Sequence, residues 1–108
     1  MISGPNTDTQ GGDIVIIVVP PDVKFGVNFT PDADGCAAVV ESFDRIQNGR
    51  FGPVQKHGGV HYGDVLFEFN DIPLLNTKHA DVLKMINDKN VLKRELKFIN
   101  SKDYYRRK

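Results

Sequence analysis

The chain has 108 residues, 40% of them apolar, which is enough for one domain with a single modest core and too little for two. Fourteen basic residues balance fourteen acidic ones, which excludes an overall electrostatic drive toward DNA, RNA or an anionic membrane, so partners are recognised locally. The lone Cys36 has no partner for a disulfide, and no apolar run approaches the ~20 residues of a membrane span.

In chain order, residues 1–12 are rich in Gly, Ser, Thr, Asn, Asp and Gln and are expected to form a flexible leader without the basic start or apolar centre of a signal peptide. Asp13 to Val19 is a β-branched run closed by Pro20-Pro21 and predicts a first strand. VKFGVNFTPD, Val23 to Asp32, predicts a second strand, with Phe25, Val27 and Phe29 on alternate positions and Gly26 among them. A glycine there weakens a strand unless a bend or another molecule approaches the main chain.

Pro31 to Gly35 is a turn signal, and Cys36 to Phe43 predicts a third strand. Asp44 to Gly52 reads as a polar loop, and Pro53 to His57 as a short helix stopped by Gly58-Gly59. Val65 to Asn70 and Ile72 to Leu75 predict a strand and a shorter one. Asn76 or Thr77 then caps a helix to about Asp88, with His79, Val82, Leu83, Met85 and Ile86 on one side. Leu92 to Ile99 predicts the last strand, and residues 101–108, SKDYYRRK, a solvated basic tail.

This order predicts a mainly β, α+β domain over residues 13–100: a small antiparallel sandwich or partly open barrel of five to six strands, capped by two helices. Catalytic and metal chemistry finds no pattern. His57 and His61 are separated by Gly58-Gly59, which breaks any helix that would align them. Asp32 to Gly35 lacks the remaining ligands of a calcium loop, and neither GxxxxGK[ST] nor GxGxxG occurs. The serines lack the flanking glycines of a nucleophile elbow. The chain is expected to be no enzyme and to need no cofactor and no metal.

From about Asp13 to Asn100 the chain resembles the PDZ domain family in five pieces that coincide in order. Lys24-Phe25-Gly26-Val27 is similar to the family's carboxylate-binding GLGF loop. Gly52-Pro53-Val54 with Gly59 is similar to its GPA segment and helix-ending glycine, and Gly63-Asp64-Val65-Leu66 with Phe69-Asn70-Asp71 to its GDxLxxVNG strand. Asn76 to Ile86 completes the set, with His79 at the first ligand-facing position of the second helix. Lys24 stands in place of the loop's first glycine, and Asp71 where glycine is usual.

The resemblance implies a non-enzymatic interaction module that takes the free C-terminus of a partner as an added strand beside Val27 to Thr30. Backbone N–H groups of Phe25, Gly26 and Val27 would hold the carboxylate. Phe25, Val27, Phe29, Leu83 and Ile86 would line the pocket for the last side chain, and Asn28 would touch its neighbours. His79 would accept a hydrogen bond from Ser or Thr two residues before the terminus, giving ligands that end in [Ser/Thr]-x-apolar-COO⁻.

The expected partners are C-terminal peptides of other proteins, membrane-protein tails among them, and not nucleic acid. The expected setting is a cytoplasmic, monomeric signalling or scaffold domain, often part of a larger protein. The alternative is a substrate-sensing appendage of a protease or other larger enzyme.

Overall fold

The computed structural model describes residues 14–108, so the leader expected at residues 1–12 lies outside the described residues. Among the described residues, six strands and three α-helices follow one another, with a 3-10 helix at Gln47–Gly49 before the first of the helices: β1 (Val15–Val18), β2 (Val27–Thr30), β3 (Ala38–Phe43), α1 (Pro53–His57), β4 (Val65–Phe69), β5 (Ile72–Pro73), α2 (His79–Ile86), β6 (Glu95–Ile99) and α3 (Ser101–Arg107). The strands form one six-stranded antiparallel sheet in the order β1-β6-β4-β3-β2, with β5 pairing off β4. The sheet does not close, so β2 and β1 are its two edges.

Burial follows position in the sheet. β4, flanked by β3 and β6, keeps Val65, Leu66, Phe67 and Phe69 in the core, a near-continuous apolar run as an interior strand requires. The edge strand β1 buries Ile17 and exposes Ile16 and Val18. Leu66, Phe69, Leu96 and Phe98 share one core cluster with Val82 and Ile86, which lie one turn apart on α2. Each such side chain contributes about 1.5–3 kcal/mol on burial.

Two bulges bend the sheet. Glu41 is the extra residue on β3 where the pairing steps from Asn28–Ser42 to Phe29–Val40, and Phe67 is the extra residue on β4 opposite β6. Such insertions sharpen the local right-handed twist of the strands that carry them. The β4–β5 turn holds both Asn70 and Asp71 at positive φ, the backbone of a two-residue hairpin turn, so Asp71 does here what glycine usually does.

Several predicted boundaries move inward. The second strand begins at Val27 rather than Val23, because Val23 to Gly26 forms a loop. The third begins at Ala38 rather than Cys36, because Ala37 takes a left-handed φ of 54° and Asp32 Oδ1 accepts the N–H groups of Asp34 and Cys36, closing the turn. The last strand begins at Glu95, and Leu92 is 72% exposed. α2 lacks the side-chain cap expected from Asn76 or Thr77; its cap residue is Lys78, with no side-chain bond. Main-chain bonds from His79 N–H to Gly35 O (3.0 Å) and from Ala37 N–H to Thr77 O (2.9 Å) fix its entry instead. α1 spans Pro53–His57 as the Pro and Gly signals require.

The expectation of a solvated tail at residues 101–108 is corrected. Ser101–Arg107 is a helix capped by Asn100, whose side chain accepts the Asp103 N–H at 2.9 Å. Tyr104 is 0% exposed, and its hydroxyl donates to Asp32 Oδ2 at 2.5 Å. Lys108 Nζ reaches Asp32 Oδ2 at 2.7 Å and Asp34 Oδ2 at 2.9 Å, and the Tyr105 hydroxyl accepts the Ala33 N–H. The helix is thus bonded to the β2–β3 turn. Its amphipathic spacing is hidden in eight residues of mostly charged composition, too short to display a period.

Burial pushes the Asp32 carboxyl up, but Lys108, Tyr104 and the two turn N–H groups outweigh it and hold it at about 2. A carboxyl lower in the folded than in the unfolded state adds stability above about pH 4 and loses it as pH falls toward about 2. Asp32→Asn is therefore expected to lower unfolding free energy at neutral pH by about 2 kcal/mol, in urea titrations, with the deficit shrinking through that acid range. A deficit of constant size at all pH values would contradict this account.

Candidate functional site

Pro20 and Pro21 end β1, since proline offers no ladder N–H, and Val23 N–H turns back to Pro20 O at 3.1 Å. The chain then passes through Lys24 to Val27 before β2 begins. Gly26 has a φ of +75°, and a Cβ on it would sit 2.9 Å from Gly52 Cα and 3.0 Å from Asp44 O. Gly52 is equally tight: its Cβ would sit 2.7 Å from Phe25 O. Gly26 O accepts the Asp44 N–H at 2.9 Å. These contacts hold the loop's back by main chain alone. Among the described residues, the N–H groups of Phe25 and Gly26 are donated to no other group.

Beyond the loop, β2 is an edge strand paired only with β3, and its other side faces α2. A groove of about 350 Å³ is lined there by Phe25, Val27, Asn28, Phe29, Glu41, Leu83, Ile86 and Asn87. Phe29 leans inward and stacks on Phe98 with ring centroids 6.4 Å apart. Asn28 is exposed and donates to Ser42 Oγ at 3.0 Å. At the loop the groove gives onto a cavity of about 480 Å³ whose walls include Lys24 to Val27, Asp44 to Ile46, Asn87 to Lys89 and Arg94.

Six residues predicted from sequence, Phe25, Val27, Asn28, Phe29, Leu83 and Ile86, thus share one groove. Lys24 and Gly26 line the adjoining cavity, while Thr30 and His79 lie outside both linings. His79 opens α2 one turn before Leu83, half-buried, with Nδ1 2.8 Å from Ala37 O. A carbonyl only accepts, so Nδ1 carries the proton of the neutral ring and Nε2 presents its lone pair.

Among the described residues no three metal-ligating side chains come together. His57 Nδ1 is engaged by the Gly59 N–H, and His61 lies beside Asp64.

No family model matches the chain, and no curated protein matches it by sequence. Solved structures do. The fourth PDZ domain of MUPP1, known from a crystal structure, superposes with a TM-score of 0.61 at 22% identity, covering 83% of this chain and 77% of that one. The PDZ domain of a human protein product, solved in solution, gives 0.55 at 21% identity, covering 90% and 88%. This chain has the PDZ fold.

Within the PDZ fold, Glu41, Asn87 and Arg94 join the site without having been singled out in the sequence. Glu41 reaches the groove because the bulge re-aims it, which no pattern announces. Arg94 did carry a signal: it is in phase with Leu96 and Phe98, the buried face of the last strand, where a charged residue is out of place. It is only 7% exposed, with Nη2 donating to Pro20 O and Val23 O and the guanidinium carbon 4.5 Å from the centre of the Phe25 ring.

Close packing at Gly26 makes it intolerant of any side chain. Gly26→Ala is expected to lower stability by about 2–4 kcal/mol through strained φ and main-chain overlap. Gly35→Ala, at a φ of +83° with nothing within 4 Å of the added Cβ, should cost only about 1 kcal/mol in the same denaturant titration.

Proposed function

We propose that the chain is a protein-interaction module that binds the free C-terminus of a partner by strand addition along β2. The observation that carries this reading is the open β2 edge, which runs into a loop whose Phe25 and Gly26 N–H groups have no acceptor among the described residues. An extended peptide laid against β2 gains main-chain bonds, and its terminal carboxylate reaches those donors, where charge-assisted bonds are about twice as strong as neutral ones. The last side chain enters the groove between Val27, Phe29, Leu83 and Ile86, which favours an apolar residue.

His79 sets the residue two places earlier. With Nδ1 committed to Ala37 O, its Nε2 accepts from a Ser or Thr hydroxyl, so ligands end in [Ser/Thr]-x-apolar-COO⁻. C-terminal tails of other proteins, membrane proteins included, are the partner class, and no catalytic step is assigned. The likeness of the fold to the MUPP1 domain and to the human PDZ domain supports the same reading.

Calorimetric titration of the chain with a hexapeptide ending Thr-Ala-Val is expected to give about micromolar binding that an amidated C-terminus weakens to about the millimolar range. Equal binding of the two forms would overturn the reading. His79→Ala should weaken the Thr-Ala-Val peptide about tenfold, the worth of a buried hydrogen bond, and leave a Phe-Ala-Val peptide unchanged.

A further inference from the structure

Arg94 is a buried cation without an anion. It is 7% exposed, and among the described residues no carboxylate forms an ion pair with it. Its contacts are neutral: two carbonyl oxygens on Nη2 and the Phe25 ring. Nε is buried with no hydrogen-bond partner among the described residues. Burial pushes its pKa down, opposed only by Asp22 at longer range. A guanidinium held in this way costs desolvation that carbonyl dipoles offset only in part, and an arriving anion would complete the compensation.

The position of Arg94 indicates which anion. It lines the cavity of about 480 Å³ together with Lys24, Phe25, Gly26 and Val27, beside the two undonated N–H groups. Its side chain stacks on Phe25, a residue of that loop. We infer that Arg94 is the counter-charge of the ligand's terminal carboxylate and a determinant of selectivity for a free over an amidated C-terminus, acting by its charge at the cavity wall. The inference rests on the carboxylate-capturing reading above. It goes further in assigning the charge to a residue of the β6 segment, distant in sequence from the loop it serves. Arginine suits the role, since its fork can bond Pro20 and Val23 with one nitrogen and keep another free.

The test compares the same Thr-Ala-Val hexapeptide as free acid and as amide on the wild-type chain, Arg94→Met and Arg94→Lys. The ratio of the two affinities is expected to fall about tenfold in Arg94→Met, which removes the charge, and less in Arg94→Lys, which retains the charge without the fork. A residue that only braces the loop would weaken both peptides equally, and an unchanged ratio in Arg94→Met overturns the inference.

A second measurement needs no variant. In the wild-type NMR spectrum the Arg94 Nε–H resonance should shift on adding the free acid and stay in place with the amide. A resonance unmoved by the free acid overturns the inference even if both variants fail to fold. A wild-type chain that binds acid and amide alike would sink the strand-addition reading as well, whereas discrimination retained in the variants removes Arg94 alone.

Discussion

The close approach of two stretches of main chain, Phe25–Gly26 against Gly52, is the constraint on which the site depends. A Cβ on either glycine would collide with backbone of the other segment at 2.7–2.9 Å, where no side chain can yield. The contact fixes the loop from behind, the Asp44 N–H ties down Gly26 O, and β2 starts at the next residue. With the Gly26 carbonyl committed, the Phe25 and Gly26 N–H groups have no acceptor among the described residues, and both residues line the cavity. From sequence, Gly26 suggested backbone kept bare for a ligand. In the fold its missing side chain makes room for Gly52, and access for a ligand follows indirectly, from the orientation that this packing imposes.

The opposite wall of the groove is equally preset. α2 is held at its start by the His79 N–H on Gly35 O and the His79 ring on Ala37 O, and along its length by Val82 and Ile86 in the core. The helix therefore stands beside β2 without closing on it, so an edge strand that would otherwise invite aggregation is screened on one side and open to one extended segment. Such rigid walls lower the ordering entropy that a peptide must offset on binding.

Local patterns with a strict backbone meaning were legible in the sequence. The alternation of Val27 and Phe29, the Pro53 start and Gly58 stop of α1, and the 3.6-residue spacing of Val82 and Ile86 each place residues where they lie. What depends on contacts between distant segments was not. The left-handed Ala37 that shortens β3, the main-chain bonds that replace a side-chain cap on α2, and the bulge that turns Glu41 toward the groove all arise from neighbours far apart in the chain. α3 was missed for the same reason: Tyr104 and Lys108 are helix-ordering residues only because Asp32, over seventy positions earlier, awaits them.

That last contact bears on how the site is supported. Asp32 sits two residues after the end of β2; its Oδ1 closes the turn into β3, while its Oδ2 takes Tyr104 and Lys108. The same turn supplies Gly35 O, which receives the first N–H of α2. One carboxylate therefore joins the far end of the binding edge, the start of the helix facing it and the C-terminal helix. The two ends of the groove are braced by different chemistry: Gly26 and Gly52 act at the loop end through excluded volume, which is insensitive to pH and salt, whereas Asp32 acts at the other through charge, which is not. Acid should therefore loosen the turn around Asp32 and leave the loop's main-chain packing intact, so the loop end of the groove is the more durable of the two.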